Sequence, residues 1–492
     1  MRNIVQDASS YSCSGTALSH LLVIGAGPSS YGFLRGLAPR PDRRVTIITP
    51  AGAGKVPSSL NVKIVSPKLR QPRVSTAYSY WRHLVDVQST SFFPVGMHGV
   101  GGAAQFWGAA VSFFSDSDLH RLGLLPSAYW SAVQSLSRTW PISGNEDDEF
   151  RSEFACFPVD TSLIRISDRI EKLFGSYPEL GVKVGRARIS VHQSGTQACS
   201  SCGKCLSGCQ TDSIWAPKKG DFLTMGHDVD FVQATAASFQ DDGRRVSVTC
   251  NDGKSQIEID GDDLVLAVDP VNLFRLLTEC VPQQSHTAQL FHNPVYGFVF
   301  YAARRPSASS FGMAQALIRL ETADGHLYGS LYDGSVLRSA NRIFFDSRAR
   351  DRVAQFLAPW FIFGLVYLSS DRSTVTMQRQ GRSVSIEASL NPEAEIEANA
   401  ARLVLRALAS KNGLRLIAFR RAQLGADAHY AGGVPESLRA PEASSLGTLR
   451  VMRKVRIVGG GLLNHLPSGF PTFSLSAAAF CVGRGFGARA AH

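Results

Sequence analysis

The sequence predicts an α/β protein in which a Rossmann-like part is combined with an antiparallel α+β part. Two observations predict the Rossmann-like part: an apolar strand that runs into Gly25-x-Gly27, and a strand, glycine-rich turn and helix within 455–480. The antiparallel part is predicted by alternating apolar and polar residues within 286–424, the pattern of strands that bury one face. The chain therefore combines two kinds of sheet.

The first glycine turn has the sequence order of a nucleotide-binding strand and helix. The apolar run Leu21–Ile24 predicts a buried strand, and Gly25 permits the tight turn that follows it. Gly27 allows the backbone to approach a pyrophosphate at the N-terminus of the next helix. Ser30, another small residue, occupies the place of the third glycine. This turn predicts a nucleotide site.

The second strand of this unit lacks one expected feature. Val45–Thr49 is an apolar strand, and an acidic residue at its end would bind the adenosine ribose. Thr49 and Pro50 stand at the candidate positions instead. Taken alone, the glycine turn is therefore also compatible with an ordinary strand-to-helix connection.

Composition indicates a globular enzyme of two or three domains. The chain has 492 residues, of which 44% are hydrophobic and 18% charged. Residues 1–20 lack the apolar segment of a secretory signal. The longest apolar run, Phe356–Leu368, has 13 residues and is too short to span a bilayer. We expect a cytoplasmic protein without a transmembrane segment.

The net charge of +11 is spread over the chain, mostly in single or paired arginines. No run of five basic residues occurs, and no basic stripe is interleaved with aromatic residues. This pattern argues against nucleic-acid binding and favours an anionic substrate or partner protein.

Four of the nine cysteines lie within eleven residues at C-x2-C-x2-C-x3-C spacing. They are Cys199, Cys202, Cys205 and Cys209. This spacing is typical of ferredoxin loops that bind an iron–sulfur cluster, because soft thiolates can converge on one small inorganic core. The run predicts one cluster, [4Fe-4S] or [3Fe-4S], although Gln210 stands where ferredoxins have proline.

The cysteine run has three other interpretations. A zinc site usually separates two cysteine pairs by a longer loop than this run provides. Disulfides require an oxidising compartment, and an odd total of cysteines argues against one. Chance clustering is the third interpretation. The iron–sulfur interpretation explains the spacing best, and it suits a reducing cytosol.

Several later segments share the strand, glycine turn and helix pattern, or place bulky aromatics beside a glycine pair. They are Val100–Gly108 with Gly101, Gly102 and Trp107; Asp263–Leu277 with Asn272; Ala428–Pro435 with His429; and Val455–Phe480 with Gly460, Pro471 and Thr472. In order and spacing, these segments and the first turn resemble the glucose–methanol–choline (GMC) family of FAD-dependent oxidoreductases. The resemblance covers about half of the chain.

The resemblance implies FAD as a cofactor, bound by a discontinuous Rossmann-like domain beneath a substrate cap. The residues that it implies as cofactor contacts are Gly25, Gly27, Ser30, Gly101, Gly102, Trp107, Asn272, Gly460, Pro471 and Thr472. The segments on either side of the cysteine run, Gly185–Val191 and Ser213–Trp215, are similar to a bacterial branch of the family. That branch includes large subunits of FAD-dependent sugar dehydrogenases that carry a cysteine cluster here.

The chain departs from the family pattern at the catalytic pair. The resemblance implies His429 as the base that takes a hydroxyl proton while hydride leaves for the flavin. The second position, usually His or Asn, is Phe470, so His465 is the remaining candidate donor. Asp269 also stands where the family has glycine, and Gly459 where it has aspartate.

The segments between the flavin signatures predict the cap. Alternation in Ser373–Gln378 and Ser383–Glu387 predicts strands around Gly381, and 392–408 has the apolar spacing of a helix. Aromatic residues of this region are expected in its core. The predicted parts are 18–110, FAD-binding; 111–184, cap; 185–285, FAD-binding with the cysteine loop 199–209; 286–424, substrate domain; and 425–492, FAD-binding.

The sequence thus predicts an FAD-dependent dehydrogenase that oxidises a CH–OH group of an alcohol or sugar-like small molecule. Electrons would pass through the iron–sulfur cluster to an electron-carrier protein or a small acceptor. Two alternatives stay open because of Phe470 and the other departures. One is a flavin-dependent reductase, desaturase or isomerase in lipid, polysaccharide or natural-product assembly. The other is a non-catalytic partner or maturation subunit that retains the fold.

Overall fold

The computed structural model describes most of the chain after residue 18. The described residues are 19–50, 86–94, 96, 99–105, 107–159, 165–202, 209, 211–281, 286–303, 311–323, 325–335, 353, 356–381, 383–425, 427–440 and 446–488. Cys205, part of the predicted metal site, lies outside them. No helix within these ranges is both long enough and apolar enough to cross a lipid bilayer.

The described residues form many more strands than helices. The strands are β1 Ser19–Ile24, β2 Arg43–Thr49, β3 Asp86–Gln88, β4 Ile142–Ser143, β5 Gly175–Tyr177, β6 Val182–Arg186, β7 Ile189–Ser190, β8 Asp228–Gln233, β9 Thr235–Asp241, β10 Val246–Asn251, β11 Gln256–Gly261, β12 Asp263–Leu266, β13 His286–His292, β14 Val295–Ala302, β15 Ala316–Thr322, β16 Gly325–Asp333, β17 Phe361–Tyr367, β18 Ser373–Gln380, β19 Ser383–Leu390, β20 Leu414–Arg421, β21 Tyr430–Gly432 and β22 Val455–Ile457. The helices are α1 Pro28–Gly36, α2 Asp116–Arg121, α3 Pro126–Leu136, α4 Asp168–Glu171, α5 Lys219–Leu223, α6 Pro270–Cys280, α7 Pro392–Lys411 and α8 Thr472–Ala488.

A parallel sheet forms the Rossmann-like part, with strand order β22-β12-β1-β2-β8. β1 lies in the centre, where Leu22 and Val23 are fully buried. A strand buried on both faces needs a continuous apolar run, which is what Leu21–Ile24 provides. The sheet takes strands from three separate stretches of the chain, so the predicted discontinuous architecture is confirmed.

Helices α1 and α8 cover one face of this sheet by crossing at close range. Cβ atoms added to Gly32 and Gly36 would collide with the backbone carbonyls of Ser476 and Phe480. A Cβ on Gly483 would collide with the carbonyl of Phe33 in the same way. The glycines therefore let the two backbones touch, and the ends of the described chain meet in one layer.

The cap is built from antiparallel strands, as predicted, except that β3 pairs in parallel with β19. A seven-stranded sheet has the order β20-β14-β17-β16-β15-β6-β5, and a five-stranded sheet the order β21-β13-β18-β19-β3. The expected hairpin turns at Gly381, whose φ is +60°. The predicted helix is α7, and its buried residues Leu405 and Leu408 share an apolar core with Phe298 and Phe300.

The described residues also form two smaller sheets: β11-β10-β9 beside the parallel sheet, and the pair β4-β7. Within the apolar run Phe356–Leu368, residues Phe361–Tyr367 form β17, which lies inside the seven-stranded sheet. Strand β6 crosses the predicted boundary between 184 and 185 and pairs with β15 of the cap sheet. The exact domain limits stay a prediction.

Candidate functional site

Three glycine-rich turns from distant parts of the chain meet at the N-terminus of α1. We call this region the glycine junction; its members are Gly25–Gly27, Gly101–Gly102 and Gly459–Gly461. The Gly101 N–H donates to the carbonyl of Ala26 at 2.7 Å. A Cβ on Gly102 would lie 3.4 Å from Cα of Gly27, and one on Gly459 would lie 2.5 Å from Oγ of Ser29. Segments that the sequence linked only by family pattern are thus in contact.

Several of these glycines adopt backbone angles that other residues avoid. Gly25 has φ +105°, Gly101 +94° and Gly459 +76°. A side chain on Gly25 would also collide with the carbonyl of Ala267. An aspartate in place of Gly459 would be strained at this φ and would crowd Ser29, so the glycine found here suits the local backbone.

The N-terminus of α1 is left open for an anion. Its cap residue is Gly27, no side chain caps the helix, and its first turn holds no acidic residue. The first N–H groups of a helix lack partners within the helix and lie at the positive end of its dipole. Ser30 folds back, donating its hydroxyl to the carbonyl of Gly27 at 2.8 Å. This cradle fits the pyrophosphate of a dinucleotide.

Residue Asp269 is the N-cap of α6. Its carboxylate accepts from the N–H groups of Val271 at 3.1 Å and Asn272 at 3.0 Å. The aspartate that departs from the family pattern therefore stabilises this helix start. The Asn272 side chain accepts from Nε of Arg275 at 2.9 Å, so this predicted cofactor contact is engaged within α6.

The predicted contacts Gly460, Pro471 and Thr472 lie close to the same layer. A Cβ on Gly460 would be 2.5 Å from the carbonyl of Tyr430, so the turn lies directly against β21. The Pro471 carbonyl accepts from the N–H of Leu475 at 2.7 Å and begins the first turn of α8. These residues position α8 against the glycine junction.

Trp107 belongs to an aromatic group beside the glycine junction. Its Nε1 donates to the carbonyl of Trp215 at 2.8 Å, and its ring packs edge-on against Trp140. The rings of Trp140 and Trp215 have centroids 3.7 Å apart, and Trp215 contacts Tyr31 of α1 at 5.5 Å. The indole of Trp107 is thus fixed by its neighbours.

His429 lies between a strained turn and β21, which begins at the next residue. Ala428, just before it, has φ +59°. The His429 side chain is 21% exposed, and its Nδ1 lies 3.8 Å from Oδ2 of Asp427. Burial lowers the pKa of His429 below its ordinary 6.5; the charge of Asp427 opposes this shift and that of His292 adds to it. The imidazole is therefore neutral at neutral pH and can accept a proton.

Asp427 lies between two histidines. Its Oδ1 is 3.3 Å from Nδ1 of His292, and both of these side chains are almost fully buried. Asp427 Oδ2, His429 Nδ1 and His292 Nε2 are buried and have no hydrogen-bond partner among the described residues. A small rotation of His429 would close the remaining gap to Asp427. We call His292, Asp427 and His429 the histidine cluster.

Tyr367 connects the histidine cluster with Phe470. Its ring centroid is 5.5 Å from that of His429 and 5.2 Å from that of Phe470. Burial, followed by the proximity of Tyr332 and Asp427, raises the pKa of Tyr367 well above 10. The hydroxyl stays protonated, and no described residue is hydrogen-bonded to it. The Tyr367 phenol ring therefore lies next to both His429 and Phe470.

The side chain of His465 is buried and is hydrogen-bonded to neighbouring side chains. Its Nδ1 lies 3.0 Å from Oγ of Ser370 and 3.1 Å from Oδ1 of Asp371. Asp371 is also held by both guanidinium nitrogens of Arg121. Burial opposes ionisation of Asp371, but hydrogen bonds from His465 and Arg121 outweigh it and lower the carboxyl pKa. His465 stays a catalytic candidate on sequence alone.

Three of the four clustered cysteines line one small cavity of about 10 Å³, which we call the cysteine pocket: Cys199, Cys202 and Cys209. Sγ of Cys209 lies 3.0 Å from Oγ of Ser213 and 3.2 Å from its N–H. The N–H of Ser201 points to Sγ of Cys199 at 3.4 Å. Donors that surround sulfur in this way suit thiolate ligands.

The cysteine pocket does not by itself form a metal site. Within the described residues, no group of three His, Cys, Asp or Glu side chains is placed to bind a metal ion. The fourth cysteine, Cys205, is not among these residues. The pocket is close to the aromatic group, since its wall residue Ile214 precedes Trp215.

Comparison with solved structures identifies the fold. Pyridoxine 4-oxidase from Mesorbium loti matches with a TM-score of 0.57 and 13% identity, over 95% of this chain and 99% of that one. Formate oxidase from Aspergillus oryzae RIB40, in a study of its FAD modification, matches with a TM-score of 0.59 and 13% identity, over 96% and 99%. A further formate oxidase structure gives 0.56 and 12%, over 97% and 99%.

The chain thus shares the fold of these proteins over nearly its whole length, and the predicted α/β fold class is confirmed. The sequence itself matches no family model and no curated protein.

Sequence reasoning missed Tyr367, Asp427 and the position of His292. Tyr367 ends a strand whose apolar run suggested only core, and Asp427 lies in a loop two residues before the histidine. The sequence did offer one indication of Tyr367: it is a tyrosine, whose hydroxyl can form hydrogen bonds, at the end of a buried strand. No local signal places His292 beside Asp427, because β13 meets this loop only through pairing with β21.

Proposed function

We propose that the protein is an FAD-dependent oxidoreductase that oxidises a CH–OH group of an alcohol or sugar-like small molecule. The observation that carries this proposal is the glycine junction, where three distant turns meet at an uncapped helix N-terminus. Gly27, the first N–H groups of α1 and Gly102 would bind the pyrophosphate, and Trp107 would border the flavin. FAD, when bound, supplies the hydride acceptor.

His429 serves as the base in this proposal. Its lowered pKa keeps the imidazole unprotonated at neutral pH, so it can take the proton of the substrate hydroxyl. Asp427 faces Nδ1 and favours the tautomer that carries its proton there. Nε2 is then the atom that accepts the hydroxyl proton. Asp427 is a positioning residue, and His292 holds it from the other side.

Tyr367 supplies the hydrogen-bond donor that Phe470 cannot. Its hydroxyl is protonated, and its ring contacts both His429 and Phe470. A donor in this place would hold the substrate oxygen while His429 removes its proton. The missing His or Asn therefore does not exclude alcohol oxidation.

The cofactor is tested by Gly27→Val. The Gly27 backbone is extended, with φ −95° and ψ −172°, and a Cβ there would meet only Cα of Gly102 at 3.9 Å. The variant should therefore fold yet lose FAD, which is measured as flavin absorbance per purified protein. Gly220→Val is the matched control, because a Cβ on Gly220 meets nothing within 4 Å. Equal FAD content in Gly27→Val and the parent would exclude this site.

An iron–sulfur cluster at the cysteine run is the second part of the proposal. The convergence of Cys199, Cys202 and Cys209 on one pocket supports it, as do the N–H and hydroxyl groups at the sulfurs of Cys199 and Cys209. Cys205 would complete the set. A cluster, when bound, accepts electrons singly, which suits an external electron carrier rather than direct use of oxygen.

The cluster is tested by anaerobic purification and assay of iron and acid-labile sulfide. Cys202→Ser and Cys205→Ser should remove most of both, since serine is a harder ligand that ionises less readily. Cys156→Ser, outside the run, is the control and should retain them. Tightly bound zinc without sulfide would contradict the cluster and leave the flavin proposal intact.

The choice of acceptor separates this proposal from a simple oxidase. All three of these structural neighbours are named as oxidases, whereas the cysteine pocket favours an electron carrier. Reduced protein should therefore react slowly with oxygen and rapidly with a dye acceptor. Fast formation of hydrogen peroxide would favour an oxidase. Protein that folds without flavin would favour the non-catalytic alternative.

A further inference from the structure

A second cavity lies at the opposite end of the parallel sheet from the glycine junction. Its volume is about 440 Å³, and it is bordered by the start of β1, by Asp263, by Lys454 and by the end of α8. β1 has six residues, so this cavity is about 20 Å from Gly25 along the strand. A molecule bound here would not contact a substrate at His429. The cavity therefore lies outside the site described above.

The walls of this cavity are strongly basic. Its cationic residues are Arg40, Arg43, Arg453, Lys454 and Arg456, and Asp263 is its carboxylate. Arg40 is paired with Asp42 at 2.6 Å, whereas Lys454 Nζ is 3.9 Å from Asp263. The cavity carries an excess of positive charge.

Arg43 is the most informative of these residues. It is 4% exposed, and its guanidinium donates to the carbonyl of Ala38 at 3.3 Å. In the described part of the chain, no carboxylate lies within ion-pair distance of it. Burial, followed by the charge of Arg40, lowers the pKa of Arg43; the charges of Asp42 and Asp263 oppose this shift, so they compensate the buried cation only in part. Buried charges are ordinarily paired, and an anion in the cavity would pair this one.

Part of the cavity wall is apolar. It includes Leu21, Val482 and Phe486. A purely inorganic anion would leave this wall without a partner, and a purely apolar molecule would leave the arginines without one. We propose that this cavity binds a small organic anion, in which a phosphate or carboxylate group is attached to an apolar group. The anion contacts Arg43 and Arg453, and the apolar group contacts Phe486.

Three matched probes test this chemistry by calorimetry on the protein as purified. Hexyl phosphate has both features, inorganic phosphate lacks the apolar group, and hexanol lacks the charge. Hexyl phosphate should bind most tightly. Arg453→Glu should weaken it at least tenfold, about the contribution of one charge-assisted hydrogen bond. Arg450→Glu, an exposed arginine that does not line the cavity, makes the same charge change and should leave binding intact.

Cysteine labelling gives a second readout that needs no variant. Cys481 lines the cavity, and Cys280 does not. Burial raises the pKa of each thiol to about 11, so the two thiols have similar thiolate fractions at a given pH. Hexyl phosphate should slow maleimide labelling of Cys481 and leave that of Cys280 unchanged, as measured by mass spectrometry.

A lipid headgroup would present the same chemistry as a free organic phosphate. Sedimentation with phosphatidylglycerol vesicles, in competition with hexyl phosphate, would assign the lipid; hexyl phosphate binding without sedimentation would assign a free anion. Three results would overturn the proposal. The first is that hexyl phosphate does not bind, and the second is that Arg453→Glu and Arg450→Glu change its affinity equally. The third is that hexyl phosphate leaves the labelling of Cys481 unchanged.

Discussion

The glycine junction is built from backbone, whereas the region around His429 is built from side chains. At the junction, the close approach of Gly27 and Gly102 and the left-handed angles of Gly25 and Gly101 create the shape. Around His429, the shape comes from a buried carboxylate and two histidines. Backbone shape tolerates almost no change of residue type, but one side-chain donor can replace another. This difference is consistent with Phe470 in the second region, whereas the departures from the family pattern in the first region, Ser30 and Gly459, are small residues.

The largest expected effect is that of His429→Ala. If His429 is the base, the variant should retain FAD and reduce its flavin about 10²–10⁴-fold more slowly, the usual contribution of a positioned base. The measurement is anaerobic stopped-flow reduction by an alcohol or sugar that reduces the parent protein. His326→Ala is a matched control, since burial also lowers the pKa of His326. Parental rates in His429→Ala would make the alcohol-oxidising mechanism wrong.

Tyr367→Phe tests whether a side chain from another strand replaces the missing family donor. The ring contacts with His429 and Phe470 remain, and only the hydroxyl is lost. Flavin reduction should slow by about 10²-fold, as when one donor to a developing oxyanion is removed. Tyr296→Phe removes another buried phenol, one bound to Glu395, and should leave the rate unchanged. An unchanged rate in Tyr367→Phe would leave the second catalytic position unfilled.

The contrast between the two regions also explains what the sequence could predict. Glycine spacing after an apolar strand is a local pattern with a direct steric meaning, so the turn at Gly25–Gly27 and the fold class followed from it. The histidine cluster depends on pairing between β13 and β21, whose residues are more than 130 positions apart. Long-range register is not visible in one sequence, so Asp427 and Tyr367 were missed. The cysteine spacing is also a local pattern, but spacing alone does not determine where each thiolate lies in the fold.

Gly32→Ala tests how strictly the backbone-built region depends on glycine. The added Cβ would collide with the carbonyl of Ser476, and a backbone atom cannot turn away. We expect a loss of about 1–3 kcal/mol in the free energy of unfolding, measured by urea denaturation. Gly220→Ala, inside α5 and facing open space, should be neutral or stabilising by up to about 1 kcal/mol. Equal stability of the two variants would show that α1 and α8 can separate without cost.

Asp427→Asn gives the smallest and most specific effect, a shift in pH dependence. The rate of flavin reduction should be lost on the acidic side, below pH 6.5, where His429 becomes protonated, since burial lowers its pKa from that value. The charge of Asp427 raises this pKa, so removing it should lower the pKa further and move the acidic limb to lower pH. The plateau rate should also fall, roughly tenfold, because His429 loses the group that orients Nδ1. A purely structural role for Asp427 would reduce the amount of folded protein and leave the acidic limb where it is in the parent.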